Sequence, residues 1–299
     1  MSFDVDRFRV EKCYRNTAPV SVLMEDLNRL GHLDEHMAEQ ARLWRRRRGW
    51  ALRGFAGLVG LSFILRGFTE VSWLGGWAWW LGWLSLVGAV GLHLKASGYA
   101  GCDLEDRRYQ LPARLLRPLL RDIDPQEPVT LVLDFQPVDH ASNFTRRGKT
   151  PTGWETSDYE DPWLSLQARL RDGTHLRLSL TEWLQKRTRT RRNPRGKYKT
   201  KSRRKSATFL QAQLRVKPER HPGLVQMRAQ AQQAVKLPPQ VKLSRLDVTE
   251  DKLAMRAHMD SEWKVEPDAT RACLMMLLSL FQVLHAASAR GKHLTARAS

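Results

Sequence analysis

The sequence predicts an α+β membrane protein. A two-helix transmembrane hairpin is followed by a cytoplasmic antiparallel β domain, a sandwich or open barrel, with a C-terminal helix. Three observations predict it. Residues 50–94 hold only Arg53, Arg66 and Glu70 as charged side chains. From Val129 onward the apolar residues recur with period two, as half-buried strands require. Near the end, residues 268–290 return to a long helical stretch.

Residues 1–49 form the expected N-terminal cytoplasmic segment. Leu23, Leu27, Leu30, Leu33 or Met37, and Ala41 recur at three-to-four spacing, which reads as an amphipathic helix over 18–44. Gly31 weakens it. Packing on the cytoplasmic domain is the simple role for such a face; binding a partner or a second copy is the alternative.

Residues 50–94 form the expected hairpin. The second span, Val71 to Lys95, has no charge before Lys95 apart from a possible one on His93. That exceeds the ~20 apolar residues a bilayer crossing needs. The first, about Trp50 to Phe68, carries Arg53 and Arg66 near its ends, where long side chains can snorkel; a re-entrant segment is its rival. Trp73, Trp77, Trp79, Trp80 and Trp83 surround the second span. Small residues at four-residue spacing, such as Ala56 and Gly60, suit close helix packing. Arg45, Arg46, Arg47 and Arg48 precede the first span and Lys95 follows the second. The positive-inside rule then places both termini in the cytoplasm of a bacterial inner membrane. The first residues lack a signal-peptide h-region.

Residues 95–128 read as a linker with a short helix at Ala113 to Leu120, and 129–299 as the β-rich domain. Val129, Leu131, Leu133 and Phe135 alternate with more polar positions. Leu164, Leu166, Ala168 and Leu170 do the same, and Leu176, Leu178 and Leu180 follow the turn Asp172-Gly173. Further strands are expected at 207–217, 241–248 and 252–259, a helix near 224–235, and a C-terminal helix over 268–290. Its uncharged centre, 272–289, raises the question of a third span, against which Ser279, Gln282, His285 and Ser288 argue.

The net charge is +19, and residues 95–299 carry 38 of the 50 basic residues. Twelve of them lie within 186–205: Lys186, Arg187, Arg189, Arg191, Arg192, Arg195, Lys197, Lys199, Lys201, Arg203, Arg204 and Lys205. Arg187, Arg189 and Arg191 alternate with threonines, and Lys197, Lys199 and Lys201 alternate with Tyr198 and Thr200. Asn193-Pro194-Arg195-Gly196 between them is turn chemistry. The pattern predicts a two-stranded ribbon with one cationic face. Anionic lipid headgroups, an acidic protein partner or nucleic acid are its candidate ligands; a solvated loop is the plain alternative.

The segment 139–162 reads as a loop. Glu155, Asp158, Glu160 and Asp161 cluster there beside Trp154 and Tyr159. An intramolecular dock for the ribbon, a cation site, or the acid–base groups of an unfamiliar enzyme are the functional readings. No EF-hand spacing supports the cation site.

No phosphate-binding glycine loop, nucleophile elbow or zinc spacing occurs. Cys13, Cys102 and Cys273 are far apart. Asp139-His140 and Asp122-Ile123-Asp124 lie in expected turns, and His285 is expected to pack in the core. No cofactor or metal is implied. The expectation is a non-enzymatic, membrane-anchored binding or scaffold protein, with nucleic-acid binding, an enzyme, or a pore accessory as alternatives. Further membrane subunits or a second copy are possible partners.

Overall fold

Among the described residues, eight strands pair antiparallel into one sheet: β1 (Cys13–Ala18), β2 (Val129–Asp134), β3 (Phe144–Lys149), β4 (Glu155–Arg169), β5 (His175–Arg192), β6 (Tyr198–Arg215), β7 (Lys242–Val248) and β8 (Lys252–Met259). Among the described residues they are accompanied by helices α1 (Val20–Phe68), α2 (Ser72–Ala100), α3 (Asp106–Leu119), α4 (Arg228–Ala234) and α5 (Glu266–Ala298). The structure is a computed structural model and describes residues 8, 10–68, 72–100, 104–192, 194–259 and 266–298. The strand order is β1-β2-β4-β5-β6-β8-β7. β2 and β3 pair with successive stretches of β4.

The chain divides into two units. One joins Met1–Leu27 to Glu105–Ser299; the other is Asn28–Leu104. In the first, the leucines of alternating strands supply the core. Leu131, Leu133, Leu164, Leu166, Leu178, Leu180, Leu210 and Leu214 are all fully buried. Against the sheet pack α3, through Leu115, Leu116 and Leu119, and α5, through Cys273, Met276, Leu280 and Val283. Burial drives the Cys273 thiol up to about 12, so it stays protonated. The opposite face is the open one: its Arg169, His175, Arg177, Gln211 and Arg215 are exposed. The hairpin β4–β5 turns at Asp172-Gly173: Gly173 takes φ +81, which a side chain resists, and Asp172 Oδ1 accepts from the Thr174 amide at 2.8 Å. The start of α1 is tied to β1 by Asp26, whose Oδ2 accepts from the Tyr14 hydroxyl at 2.8 Å and from Asn16 Nδ2 at 3.0 Å.

In the second unit, Asp34 Oδ1 accepts from the Leu104 amide at 2.8 Å. The Trp44 ring meets the Arg47 guanidinium and the Lys95 ammonium, each 4.8 Å from its centroid. Arg48 Nη1 lies 2.7 Å from His93 Nδ1.

This architecture corrects the expected transmembrane hairpin. The first span is no separate element: α1 runs unbroken for 49 residues, from the charged segment through Arg45–Arg48 and on to Phe68. Its charge-free run lies only between Arg53 and Arg66, too short for a crossing. Among the described residues, one helical stretch is long and apolar enough to span a membrane, Ala269–Ala289 in α5, and half of it is buried inside the protein. Its apolar character has a second use, since Ala272, Cys273, Met276 and Leu280 line the core. With no pair of spans to orient, Arg45 to Arg48 and Lys95 lose the topological role expected of them. Thr69 and Glu70 of the expected turn, and Cys102, lie outside the described residues.

The β domain is also neither sandwich nor barrel. One open sheet carries α3 and α5 on one face, and its strand order runs from β1 to β7.

Candidate functional site

Two clusters stand out in the first unit. The first is buried, and Asp161 is its one member among the acids that the sequence singles out. Asp161 and Glu182 are cross-strand neighbours on β4 and β5, both facing the helices. Like charges directly opposite repel. The first turn of α3 supplies the answer. Arg108, 1 % exposed, donates Nη2 to Asp161 Oδ2 at 2.8 Å, Nε to Glu105 Oε2 at 2.8 Å and Nη1 to the Asp134 carbonyl at 2.6 Å. Arg107 reaches Glu182 through Nη1 at 2.5 Å and Nη2 at 3.1 Å. The Arg108 guanidinium also lies 5.5 Å from the Trp163 ring centroid.

The charges answer their surroundings. Burial pushes the Asp161 carboxyl up to about 6 despite the Arg108 guanidinium. Burial raises Glu182 as well, against the pull of Arg107 and Arg108. Burial would raise Glu105 too, but Arg108 and Arg107 outweigh it and hold that carboxyl below its usual range. Asp161 Oδ1 and Trp163 Nε1 are buried without a protein partner. A carboxyl near neutrality suits acid–base chemistry, yet this one is fully buried. The cluster joins α3 to the sheet, with the Glu105 side chain half-exposed at its rim.

The second cluster is the basic ribbon. β5 and β6 pair without interruption from His175↔Arg215 to Arg192↔Tyr198. The register sets Arg187 opposite Arg203, Arg189 opposite Lys201 and Arg191 opposite Lys199. Because side chains alternate between faces, these six cations share one face. It is the open face of the sheet, since the intervening positions run on from the buried Leu180, Glu182 and Leu184. Thr188↔Ser202 and Thr190↔Thr200 lie on the other face, with the last two hydroxyls 3.0 Å apart. The turn contains Gly196 at φ +80, whose carbonyl accepts from Arg192 Nε at 3.2 Å. Arg195, Lys197, Arg204 and Lys205 are exposed. Beyond Thr188, β5 has no β4 partner, and β8 reaches β6 only at Thr208. Among the described residues, the outer part of the pair is therefore a free two-stranded arm.

The arm is braced at its root. Lys186, on the helix side, pairs with Asp139 at 2.5 Å and sits 5.4 Å from the Tyr159 ring centroid. The Lys186 hydrogen bond holds the Asp139 carboxyl below its usual range. Arg203 lies over Trp154 at 5.3 Å, and Arg187 Nε donates to Gln185 Oε1 at 2.6 Å.

The four acids expected on a loop lie instead on β4. They do not converge. Asp161 is buried against Arg108. Asp158 accepts from Gln185 Nε2 at 2.7 Å and sits 3.6 Å from Arg146. Glu155 and Glu160 are exposed. Among the described residues, no His, Cys, Asp and Glu group is placed to hold a metal. His140 caps the short 3₁₀ turn after Asp139, with Nδ1 2.8 Å from Ser142 Oγ. Asp124 Oδ1 accepts from the Gln126 amide at 3.4 Å. His285, expected in the core, is exposed on α5.

With the arm as the leading feature, similarity to known proteins would decide its ligand. No family model, curated protein or solved structure matches the chain. The functional reading therefore rests on the geometry alone.

The sequence signal that could have revealed the buried cluster is slight. Arg108 looked like one of several basic residues after an apolar stretch. Its neighbours Tyr109, Leu111, Leu115 and Leu116 form a helical apolar face, and this was the available hint that the arginine beside them turns inward.

Proposed function

We propose that this chain is a non-enzymatic binding protein whose β5–β6 arm holds polyanions. One observation carries the reading. Three like-charged pairs stand directly opposite one another on a single face, Arg187/Arg203, Arg189/Lys201 and Arg191/Lys199, with Arg187 and Arg189 half-buried and the other four exposed. Such pairs oppose folding, so an anionic ligand that neutralises them accounts for their presence. The absence of any acid between Gln185 and Pro218 adds support.

Anionic lipid headgroups, an acidic protein and nucleic acid all offer the required charge. Without a two-span tether, proximity to a membrane gives lipid no advantage over the other two. The arm itself is chemically indifferent between a phosphate on a headgroup and one on a polymer.

The test uses the purified full chain and a variant with the six face cations changed to threonine or glutamine. Both are sedimented with phosphatidylcholine vesicles, with or without phosphatidylserine, and titrated with a labelled oligonucleotide. Binding to a polyanion that weakens steeply with salt and is lost in the variant supports the reading. Equal binding by both chains overturns it.

A further inference from the structure

The arm is one end of a longer surface. Resting on the reading above, we infer that the whole open face of the sheet, from the arm to the Asp172-Gly173 turn, is a track for a single-stranded polynucleotide.

The register assembles this face row by row. At the turn end, Arg169, His175, Arg215 and Lys252 stand side by side across β4, β5, β6 and β8. The next row reads Thr130, Gln167, Arg177 and Gln213. The one after it reads Ser165, Ser179, Gln211 and Arg256. A concavity of about 700 Å³ lies over the first two rows, lined by Gln167, Arg169, His175, Arg177, Gln213 and Arg215 among others. Its one carboxylate, Glu127, lies 3.9 Å from Arg169.

Between these rows and the arm lies an aromatic step. Phe209 and Trp183 point to the same face and are only partly buried. The Arg256 guanidinium lies 4.8 Å from the Phe209 ring centroid, and the His258 ring is 6.1 Å away.

This combination fits one occupant better than the rest. Cations stand at both ends of the open face of β5, about 60 Å long at ~3.3 Å per residue: Arg177 near the turn and Arg187, Arg189 and Arg191 on the arm offer phosphate contacts. The amides of Gln167, Gln211 and Gln213 can donate to and accept from unpaired base edges. A base can stack on the Arg256 guanidinium and extend the pair it makes with Phe209. Glutamine rows and an aromatic step give a lipid headgroup layer nothing to recognise. Shape points the same way. Adjacent strands rotate by about 20–25°, so the face turns strongly from β2 to β8. A flexible strand can follow that turn, and a flat bilayer cannot meet all of it.

The experiment measures binding of a short mixed-sequence DNA or RNA strand to the full chain across a range of salt. Three variants are compared: the six-fold arm variant, the triple R177Q/R215Q/R256Q, and F209L, with F209W as its conservative control. Melting of each variant guards against misfolding. The expected result is a loss of at least tenfold in the triple variant, with the log–log salt slope reduced by about two. F209L should lose about fivefold or more, and F209W should not. If the arm variant alone loses binding, the track is wrong and the arm reading stands. If duplex binds as tightly as single strand to every chain, the single-strand inference fails. If the chain takes anionic vesicles that the oligonucleotide cannot displace, lipid is the ligand and the inference fails. If no variant changes any binding, both readings fall.

Discussion

Asp161 and Glu182 face each other across β4 and β5 with Arg108 and Arg107 closing over them. Two buried carboxyls in register would drive the strands apart, and here they fasten a helix instead. α3 is held to the sheet through its first turn. The strands thus gain a fixed cover over their inner face.

Removing Arg108 should expose the cost of that arrangement. Arg108→Met keeps a long side chain in the space beside Trp163 but removes the guanidinium over its ring, and leaves Asp161 and Glu182 opposite one another with one guanidinium, that of Arg107, beside them. Breaking a buried pair in this way costs about 3–5 kcal/mol. Urea unfolding would measure it. Adding Asp161→Leu in the same chain should recover much of the loss, because both charges of the pair are then gone. A loss below about 1 kcal/mol in the single variant would mean the cluster is not a stabilising clamp.

Acidity should strengthen the fold over a defined window. The folded Asp161 carboxyl ionises at about 6, above the ordinary value near 3.8. Between those values the folded state binds the proton and the unfolded state does not, so stability rises as pH falls from about 6 toward 4. The raised value corresponds to about 3 kcal/mol for this group. Glu182, also raised, acts in the same direction. Glu105 is lowered, so its contribution is lost at the acid end as pH drops through its folded value. The unfolding midpoint of the wild-type chain should therefore increase between pH 7 and pH 5. Asp161→Asn should remove most of that increase; an unchanged profile would count against it.

Replacing one like-charged pair on the arm should separate ligand binding from folding. Arg189→Thr with Lys201→Thr copies the neighbouring Thr190/Thr200 pair. The melting temperature should stay level or rise, since a repulsive pair is gone, while polyanion affinity falls. Charged residues also guard exposed strand edges against association, and the free edge of β6 is a place for that. A variant that aggregates yet keeps its polyanion affinity would assign these charges to edge protection.

How much of this could be read from the chain depends on where each residue's partner lies. The alternation at Leu164–Leu170 and Leu176–Leu180, with Asp172-Gly173 between, is local, and the hairpin forms where the pattern puts it. The same holds for the arm, whose register follows from a turn at 194–196 and strict alternation on both sides. The strand at Glu155–Asp161 was hidden because its acids look like loop residues. What makes Asp161 tolerable in a strand is Arg108, 53 positions earlier. β1 was hidden for a similar reason: Tyr14 is its only buried side chain, and its pairing with β2 spans more than a hundred residues. The break expected near Trp50 failed because a change of composition is not a helix stop. Neither Pro nor a cap interrupts α1 there, and Arg45 to Arg48 are good helix formers.

Single acids on the two faces of the sheet give the sharpest check on where a ligand lies. Glu160 is exposed on the open face, opposite Trp183, between the aromatic step and the arm. Asp139 pairs with Lys186 on the helix side. If polyanions ride on the open face, Glu160→Gln removes a repulsive charge from their path. Affinity should then rise about two- to fivefold, the effect of one exposed charge pair worth about 0.4–1 kcal/mol. Asp139→Asn frees Lys186 but on the wrong face, and affinity should not change. An acidic dock that restrains the arm predicts a gain from both. Parallel titrations of the two variants at one salt concentration decide the matter: a gain confined to Asp139→Asn would move the contact to the helix side and leave the six facing cations without a ligand.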